Sequence, residues 1–253
     1  MSKPLILITN DDGIYAKGLK ALIEVCRPIG DIVIVAPDSP QSGQGHAITL
    51  NDPIRLRQVK EYEEEAYKCS GTPVDCVKLA KSVVLNNRKP DLCVSGINHG
   101  SNASINIIYS GTMSAAMEAS LEGIPSIGFS YLDYDANADF SACKKIAKTL
   151  IEKVLAIPPD NKLLLNVNIP VLPYDEIKGI KTCRQSKGNW TEEFIEALDP
   201  RGEKYYWMTG AYYTKETATD TDIWALENGY VSVVPSHHDL TDYRQLERLK
   251  TII

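Results

Sequence analysis

Two neighbouring carboxylates close the first apolar run of this chain. Leu5, Ile6, Leu7, Ile8 and Thr9 lead straight into Asn10, Asp11, Asp12 and Gly13. Like charges side by side repel, and burial strengthens the repulsion. A hard divalent cation converts that repulsion into coordination, and oxygen donors select magnesium, manganese or calcium over zinc. Ser42 and Asn98, in loops after later apolar runs, are neutral oxygen donors able to complete such a set. A plainer reading stands beside this one, with Asp11 as a helix cap and Asp12 as a solvated charge.

A second signature lies in "SGTMSAAMEAS", residues 110–120. Ser110, Gly111 and Thr112 open a helix whose first N–H groups make a ready anion site, and Gly111 lets a phosphate approach the backbone. An ordinary Ser/Thr cap is the other meaning of the pattern. "SGINHGSN" (95–102) is glycine-rich in the same way and suits an oxyanion. A cation beside an anion hole points to phosphoryl chemistry.

Competing motifs fail on spacing. "GQGHAI" has two glycines of a dinucleotide fingerprint, but Ile48 takes the third place. There is no G-x-x-x-x-G-K-[ST] loop and no G-x-S-x-G elbow. The aspartates are contiguous rather than D-x-D, which counts against an aspartyl nucleophile. His46 suits either a polarising role or simple packing, and His99 reads as exposed. His237 and His238 read as braces for the C-terminal tail. Asp220 and Asp222 in "TATDTD" look like a second metal loop but are read as solvated.

These residues need a scaffold that gathers them. "LILIT" (5–9), "DIVIVAP" (31–37), "DLCVSGI" (91–97), "SIGFSY" (126–131) and "LLLNVNIP" (163–170) are apolar runs of the kind a strand buried on both faces requires. Helical patterns alternate with them at 17–30, 71–85, 110–125 and 140–156. Thr72 suits an N-cap, Pro73 the first helical position and Asp75 the first turn. Strict alternation predicts an α/β fold: a three-layer, doubly wound, mostly parallel, Rossmann-like sheet. In such a sheet ligands bind beyond the carboxyl ends of the strands, and the residues above leave the strands there. From about Lys178 the texture becomes short aromatic and β-branched runs between polar loops, which predicts a β-hairpin extension. Leu240, Tyr243, Leu246, Leu249 and Ile252 recur every third residue, predicting a terminal helix that docks on its own core or on another subunit. The expected division is a catalytic core at 1–177 and an oligomerisation segment at 178–253.

Composition narrows the class. Over 253 residues, 43 % are hydrophobic, 24 % charged, and the net charge is −6. With no Lys/Arg block, this argues against a nucleic-acid partner. No window approaches the roughly 20 apolar residues of a membrane span, and the N-terminal run is too short for a signal peptide. Six scattered cysteines without a C-x-x-C pair read as reduced thiols of a cytoplasmic protein.

"ILITNDDG", "VAPDSPQSGQGHAIT", "GTPVDCVKLA", "PDLCVSGINHGSN", "YSGTMSAAMEA", "IPSIGFS", "NVNIP", "EKYYW" and "DTDIWALENGYVSVVP" occur in order along nearly the whole chain. In these segments the chain resembles the SurE survival-protein family of metal-dependent nucleotidases. The resemblance implies hydrolysis of nucleoside 5′-monophosphates, with 3′-monophosphates and short polyphosphate as further substrates. It implies one divalent cation per subunit, magnesium or manganese (calcium in crystals), held by Asp11, Asp12, Ser42 and Asn98. It implies homodimers or homotetramers with exchanged C-terminal segments. With it, Gly43, Asn102, Ser110, Gly111 and Thr112 are expected to bind phosphate, and Asn10 to orient the catalytic Asp11 and Asp12.

Two other readings compete. A signalling receiver domain also places adjacent acids after its first strand, but needs an acceptor Asp at a later strand's end, where this chain has Asn98. A non-catalytic nucleotide-binding module would bind nucleotide with metal and release no phosphate.

Overall fold

The computed structural model describes residues 3–86, 88–158 and 163–253. Its centre is a nine-stranded sheet with helices on both faces. The strands and helices, in chain order, are β1 (Leu5–Thr9), α1 (Lys17–Cys26), β2 (Asp31–Pro37), β3 (Leu56–Val59), β4 (Glu65–Cys69), α2 (Pro73–Leu79) and β5 (Leu92–His99). Then come α3 (Gly111–Leu121), β6 (Ser126–Tyr131), α4 (Ser141–Leu155), β7 (Leu164–Ile169), β8 (Ile180–Thr182), β9 (Gly188–Leu198), β10 (Lys204–Thr214), α5 (Asp222–Glu227), β11 (Val231–Pro235) and α6 (Tyr243–Leu249). The sheet order is β3-β4-β2-β1-β5-β6-β7-β11-β8. Pairing from β4 through β7 is parallel, as the alternating pattern predicts.

Period-two alternation divides the core. Ile6 and Ile8 of β1 pack with Leu19 and Leu22 of α1 and Ile146 and Ile151 of α4. Leu7 points to the other face, against Val77 of α2 and Ala115 and Ala119 of α3. The small residues of α3 let that helix lie close on β5 and β6, and it is buried along most of its length. Thr72 and Asp75 form a reciprocal capping box on α2. The Thr72 Oγ1 accepts from Asp75 N–H at 3.2 Å, and Asp75 Oδ2 accepts from Thr72 N–H at 2.9 Å.

Three features depart from the sequence-based expectations. β3 and β4 form an antiparallel edge pair that the charged run "LRQVKEYEEEAYKC" does not announce. β11 and β8, beyond residue 178, complete the main sheet, with β11 antiparallel to β7 and β8 parallel to β11. β9 and β10 form a separate two-stranded hairpin. Finally, β5 runs on to His99, so Asn98 is a strand residue and not a loop residue. The pairing of β5 with β6 shifts between Ser95 and Asn98 and then resumes, with Asn98 opposite Ser130. Gly96 makes that bulge, at φ +121°, and a β-carbon there would stand 2.4 Å from the Phe129 carbonyl oxygen.

Candidate active site

β1 delivers its two aspartates through a tight turn that Asn10 closes. The Asn10 Nδ2 donates to the Gly13 carbonyl at 3.0 Å, and its Oδ1 accepts from Gly13 N–H at 3.2 Å. Asn10 is buried, so its side chain acts on the turn and not on a ligand. Asp11 is buried against the start of α3. Thr112 is fully buried, and its hydroxyl and backbone N–H both donate to the Asp11 carboxylate. The Gly111 α-carbon lies directly against Asp11. The N-terminus of α3 therefore stabilises this carboxylate, a favourable placement for a negative charge.

The pair remains electrostatically uncomfortable. Burial, and then the neighbouring charge of Asp12, push the Asp11 carboxyl up to about 6 despite the bonds from Thr112. Burial also raises Asp12, opposed by the imidazole and backbone N–H of His99. The Asp12 Oδ2 is enclosed and has no hydrogen-bond partner, an arrangement native proteins seldom tolerate without a reason. Asn98 donates both amide hydrogens to backbone, to the carbonyls of His99 at 3.1 Å and Gly100 at 2.9 Å. Its Oδ1 is the atom left for a ligand. Among the described residues no group of three or more His, Cys, Asp or Glu side chains is placed to hold a metal ion. The available set is two carboxylates with neutral oxygens, which fits magnesium, manganese or calcium and not zinc.

Asp11, Ser42, Gly43, Asn98, Asn102 and Ser110 line one cavity of about 550 Å³. The segment bearing Ser42 and Gly43 has no regular structure, yet it is pinned at several points. Gln41 N–H donates to the Asp11 carbonyl at 2.8 Å and Gly45 N–H to that of Tyr109 at 3.2 Å. The Thr49 hydroxyl donates to Asp75 at 2.6 Å, and Thr72 Oγ1 donates to the Ala47 carbonyl at 2.7 Å.

Of the other residues singled out in the sequence, His99 also lines the cavity, whereas Gly111, Thr112 and His46 do not. Gly111 and Thr112 are turned onto Asp11, so they act on the carboxylate, whereas Ser110 reaches the cavity wall. The Ser110 Oγ caps α3 by accepting from Met113 N–H at 3.0 Å. Asp12 stands beside Asp11 and packs against His99. His46 bonds Glu118 at 2.9 Å, and Glu118 also pairs with Lys78, so His46 braces its loop. His99, read as exposed, is partly buried, with Nδ1 3.2 Å from the Asp133 carbonyl and its ring edge-on to Phe140. Asp222 is no solvated acid: it is fully buried and accepts N–H bonds from Ser104, Ser186 and Ile223.

The sequence reading missed the outer wall. Asn106, Tyr109, Tyr134, Trp190 and Met208 complete the cavity from three distant segments. No local pattern links them: Asn106 and Tyr109 follow β5, Tyr134 follows β6, and β9 and β10 bring Trp190 and Met208.

The fold and this edge define the class: a doubly wound α/β protein with paired carboxylates at the carboxyl ends of its strands. The family model described as Survival protein SurE matches residues 6–192. A protein from Christiangramia forsetii named 5′-nucleotidase SurE is 56 % identical, over 98 % of this chain and 96 % of its own length. One of the same name from Bacteroides thetaiotaomicron is 47 % identical, over 98 % and 95 %. The crystal structure of the SurE protein from Aquifex aeolicus superposes with a TM-score of 0.83 at 43 % identity, covering 98 % of this chain and 99 % of that one. The chain belongs to the SurE survival-protein family.

Proposed function

We propose that this chain is a divalent-metal-dependent phosphohydrolase that releases phosphate from nucleoside monophosphates. The observation that carries the reading is Asp11, wedged on the start of α3 beside Asp12 and opening onto a cavity it shares with Ser42, Asn98 and Ser110. The relatives named 5′-nucleotidase SurE support the substrate class. Asp11, Asp12, Ser42 and Asn98 would hold magnesium or manganese. Bound there, the cation would neutralise phosphate oxygens and activate the attacking water.

The protein's own groups do the positioning. Thr112 fixes Asp11, Asn10 fixes the turn that carries both aspartates, and the His99 N–H orients Asp12. Gly43, Asn102 and Ser110 form the walls that receive the phosphate, and Gly111 and Thr112 support them from behind. The nucleoside occupies the rest of the cavity.

We also place the protein in the cytoplasm, consistent with six free, buried cysteines. Among the described residues no helix is long and apolar enough to cross a membrane. Assembly as a homodimer or homotetramer through exchanged C-terminal segments accounts for the apolar surface left there: Phe194 is 64 % exposed, Trp207 64 % and Leu240 91 %. Light scattering of the full chain and of a chain cut before Leu240 tests this; equal mass for both would overturn tail exchange.

The test of activity is phosphate release from AMP, GMP and CMP, their 3′-isomers and short polyphosphate, with magnesium, manganese, calcium or EDTA. Release with metal and none in EDTA is expected. Full turnover in EDTA, or nucleotide binding without release, would overturn the reading.

A further inference from the structure

We infer that Asn166 and Asn168 of β7, with Ser130 of β6, are positioning residues for phosphate. They clamp Asn102 by its backbone and its side chain, so that its free amide hydrogen meets an incoming phosphate oxygen. This rests on the nucleotidase reading above, in which Asn102 belongs to the phosphate wall.

The two asparagines interrupt a strand that is buried along its whole length. Val167 between them joins Leu165 and Ile169 in the main core. Asn166 and Asn168 point to the other face, with Leu164, which packs on Met113 and Ala116 of α3. They are 2 % and 0 % exposed, and a buried amide destabilises a fold unless its hydrogen bonds are made. Here they are made to one residue and to each other. Asn102 N–H donates to Asn168 Oδ1 at 2.8 Å, Asn166 Nδ2 donates to the Asn102 carbonyl at 2.8 Å, and Asn168 Nδ2 donates to Asn166 Oδ1 at 2.9 Å. The three bonds close a ring, and its direction is forced. A backbone N–H only donates and a carbonyl only accepts, so Asn168 must offer its oxygen and Asn166 its nitrogen. The two atoms left over then match each other. Bonds chained in this way strengthen one another.

The ring fixes the main chain of Asn102, and Ser130 fixes its side chain. Ser130 stands opposite Asn168 on the neighbouring strand. It is fully buried, and its Oγ accepts from Asn102 Nδ2 at 2.8 Å. Among the described residues the other Asn102 amide hydrogen has no partner, and Asn102 lines the cavity with Asp11 and Ser110. A donor held in place before a charged oxygen arrives loses no freedom when it binds. The side chains of the clamp bond Asn102 and one another, and among the described residues none of them bonds Asp11, Asp12 or Ser42. The clamp therefore serves the phosphate and not the cation, and the two affinities separate.

The experiment uses the full-length chain and its Ser130→Ala, Ser130→Thr, Asn166→Ala and Asn168→Ala variants. Titration calorimetry measures the Kd of magnesium alone, then that of inorganic phosphate with magnesium present. The phosphate Kd should rise about tenfold in each alanine variant, the size of one lost hydrogen bond to a charged group, while the magnesium Kd stays where it was. The kcat/KM for AMP should fall by about the same factor. Ser130→Thr keeps the hydroxyl and should restore both. Where an asparagine variant fails to fold, Ser130→Ala carries the test, since it removes a single hydroxyl. A phosphate Kd that does not move, or a magnesium Kd that rises in step with it, would overturn the clamp. Phosphate binding weakened in Ser130→Ala, with no AMP hydrolysis by the wild type, would sustain the clamp while overturning the nucleotidase reading. AMP hydrolysis with an unmoved phosphate Kd would do the reverse.

Discussion

Gly111 stands so close to Asp11 that a β-carbon on it would lie 2.7 Å from the Asp11 β-carbon and 2.9 Å from Oδ2. Carbon atoms do not approach to that distance, so Gly111→Ala must push the carboxylate out of place. A displacement near 1 Å at a reacting centre costs about 100-fold in rate, and phosphate release should fall by that order. Circular dichroism should show an intact fold. Turnover at the wild-type rate would mean that the contact does not position Asp11.

Removal of the cation should be visible without any substrate. A ligand at about 100 times its Kd stabilises the folded state by about 2.7 kcal/mol, worth about 5–10 °C in Tm for a chain of this size. Manganese should raise the melting temperature of the wild type by that amount relative to EDTA. Asp11→Asn and Asp12→Asn should lose most of the rise and nearly all phosphate release. Full turnover in both variants would sink the proposed mechanism.

In EDTA the pH dependence runs opposite to that of an ordinary carboxylate. The folded Asp11 pKa is raised to about 6 from 3.8, so the folded state binds the proton more tightly than the unfolded chain. Its stabilising contribution is complete below about pH 4 and is lost as pH rises through about 6. Urea midpoints in EDTA at pH 5 and 7.5 should therefore favour pH 5 more in the wild type than in Asp11→Asn. Manganese affinity should move the other way, since the proton competes for the same oxygens.

Asp222 ties three backbone N–H groups together, from Ser104 at 2.7 Å, Ser186 at 2.9 Å and Ile223 at 2.8 Å. Asp222→Asn removes one accepting oxygen and leaves a buried donor unmatched, at about 1–3 kcal/mol. The urea midpoint should fall with an unchanged slope, and β9–β10 should become the first site of limited proteolysis.

Much of the scaffold was legible because burial on both faces demands continuous apolar runs, as in β1, β2, β6 and β7. The α2 cap was legible because Thr72 and Asp75 lie within one turn. The edge pair β3–β4 was not, since edge strands carry exposed charge and mimic loops. "YVSVVP" is equally good sequence for a hairpin or a sheet strand, and only its burial against β7 decides. Thr112 was singled out for phosphate, yet its hydroxyl answers to Asp11, a partner 101 positions away. Asn98 was placed beyond its strand because a bulge at Gly96 leaves no apolar trace.

The excursion that carries β9 and β10 leaves and rejoins the sheet at a pinned neck. Arg184 and Thr221 form an isolated bridge, with Arg184 N–H donating to the Asp220 carbonyl and Asp222 N–H to the Arg184 carbonyl, each at 3.0 Å. The paired aspartates follow β1, far away in sequence, and take their placement from that strand, the Asn10 turn and the start of α3. The carboxylate pair and the hairpin's part of the cavity wall thus occupy separable lengths of chain. Exchanging residues 186–219 for another hairpin would replace Trp190, Met208, Thr209 and Gly210 in the cavity wall while the edge bearing Asp11 kept its shape.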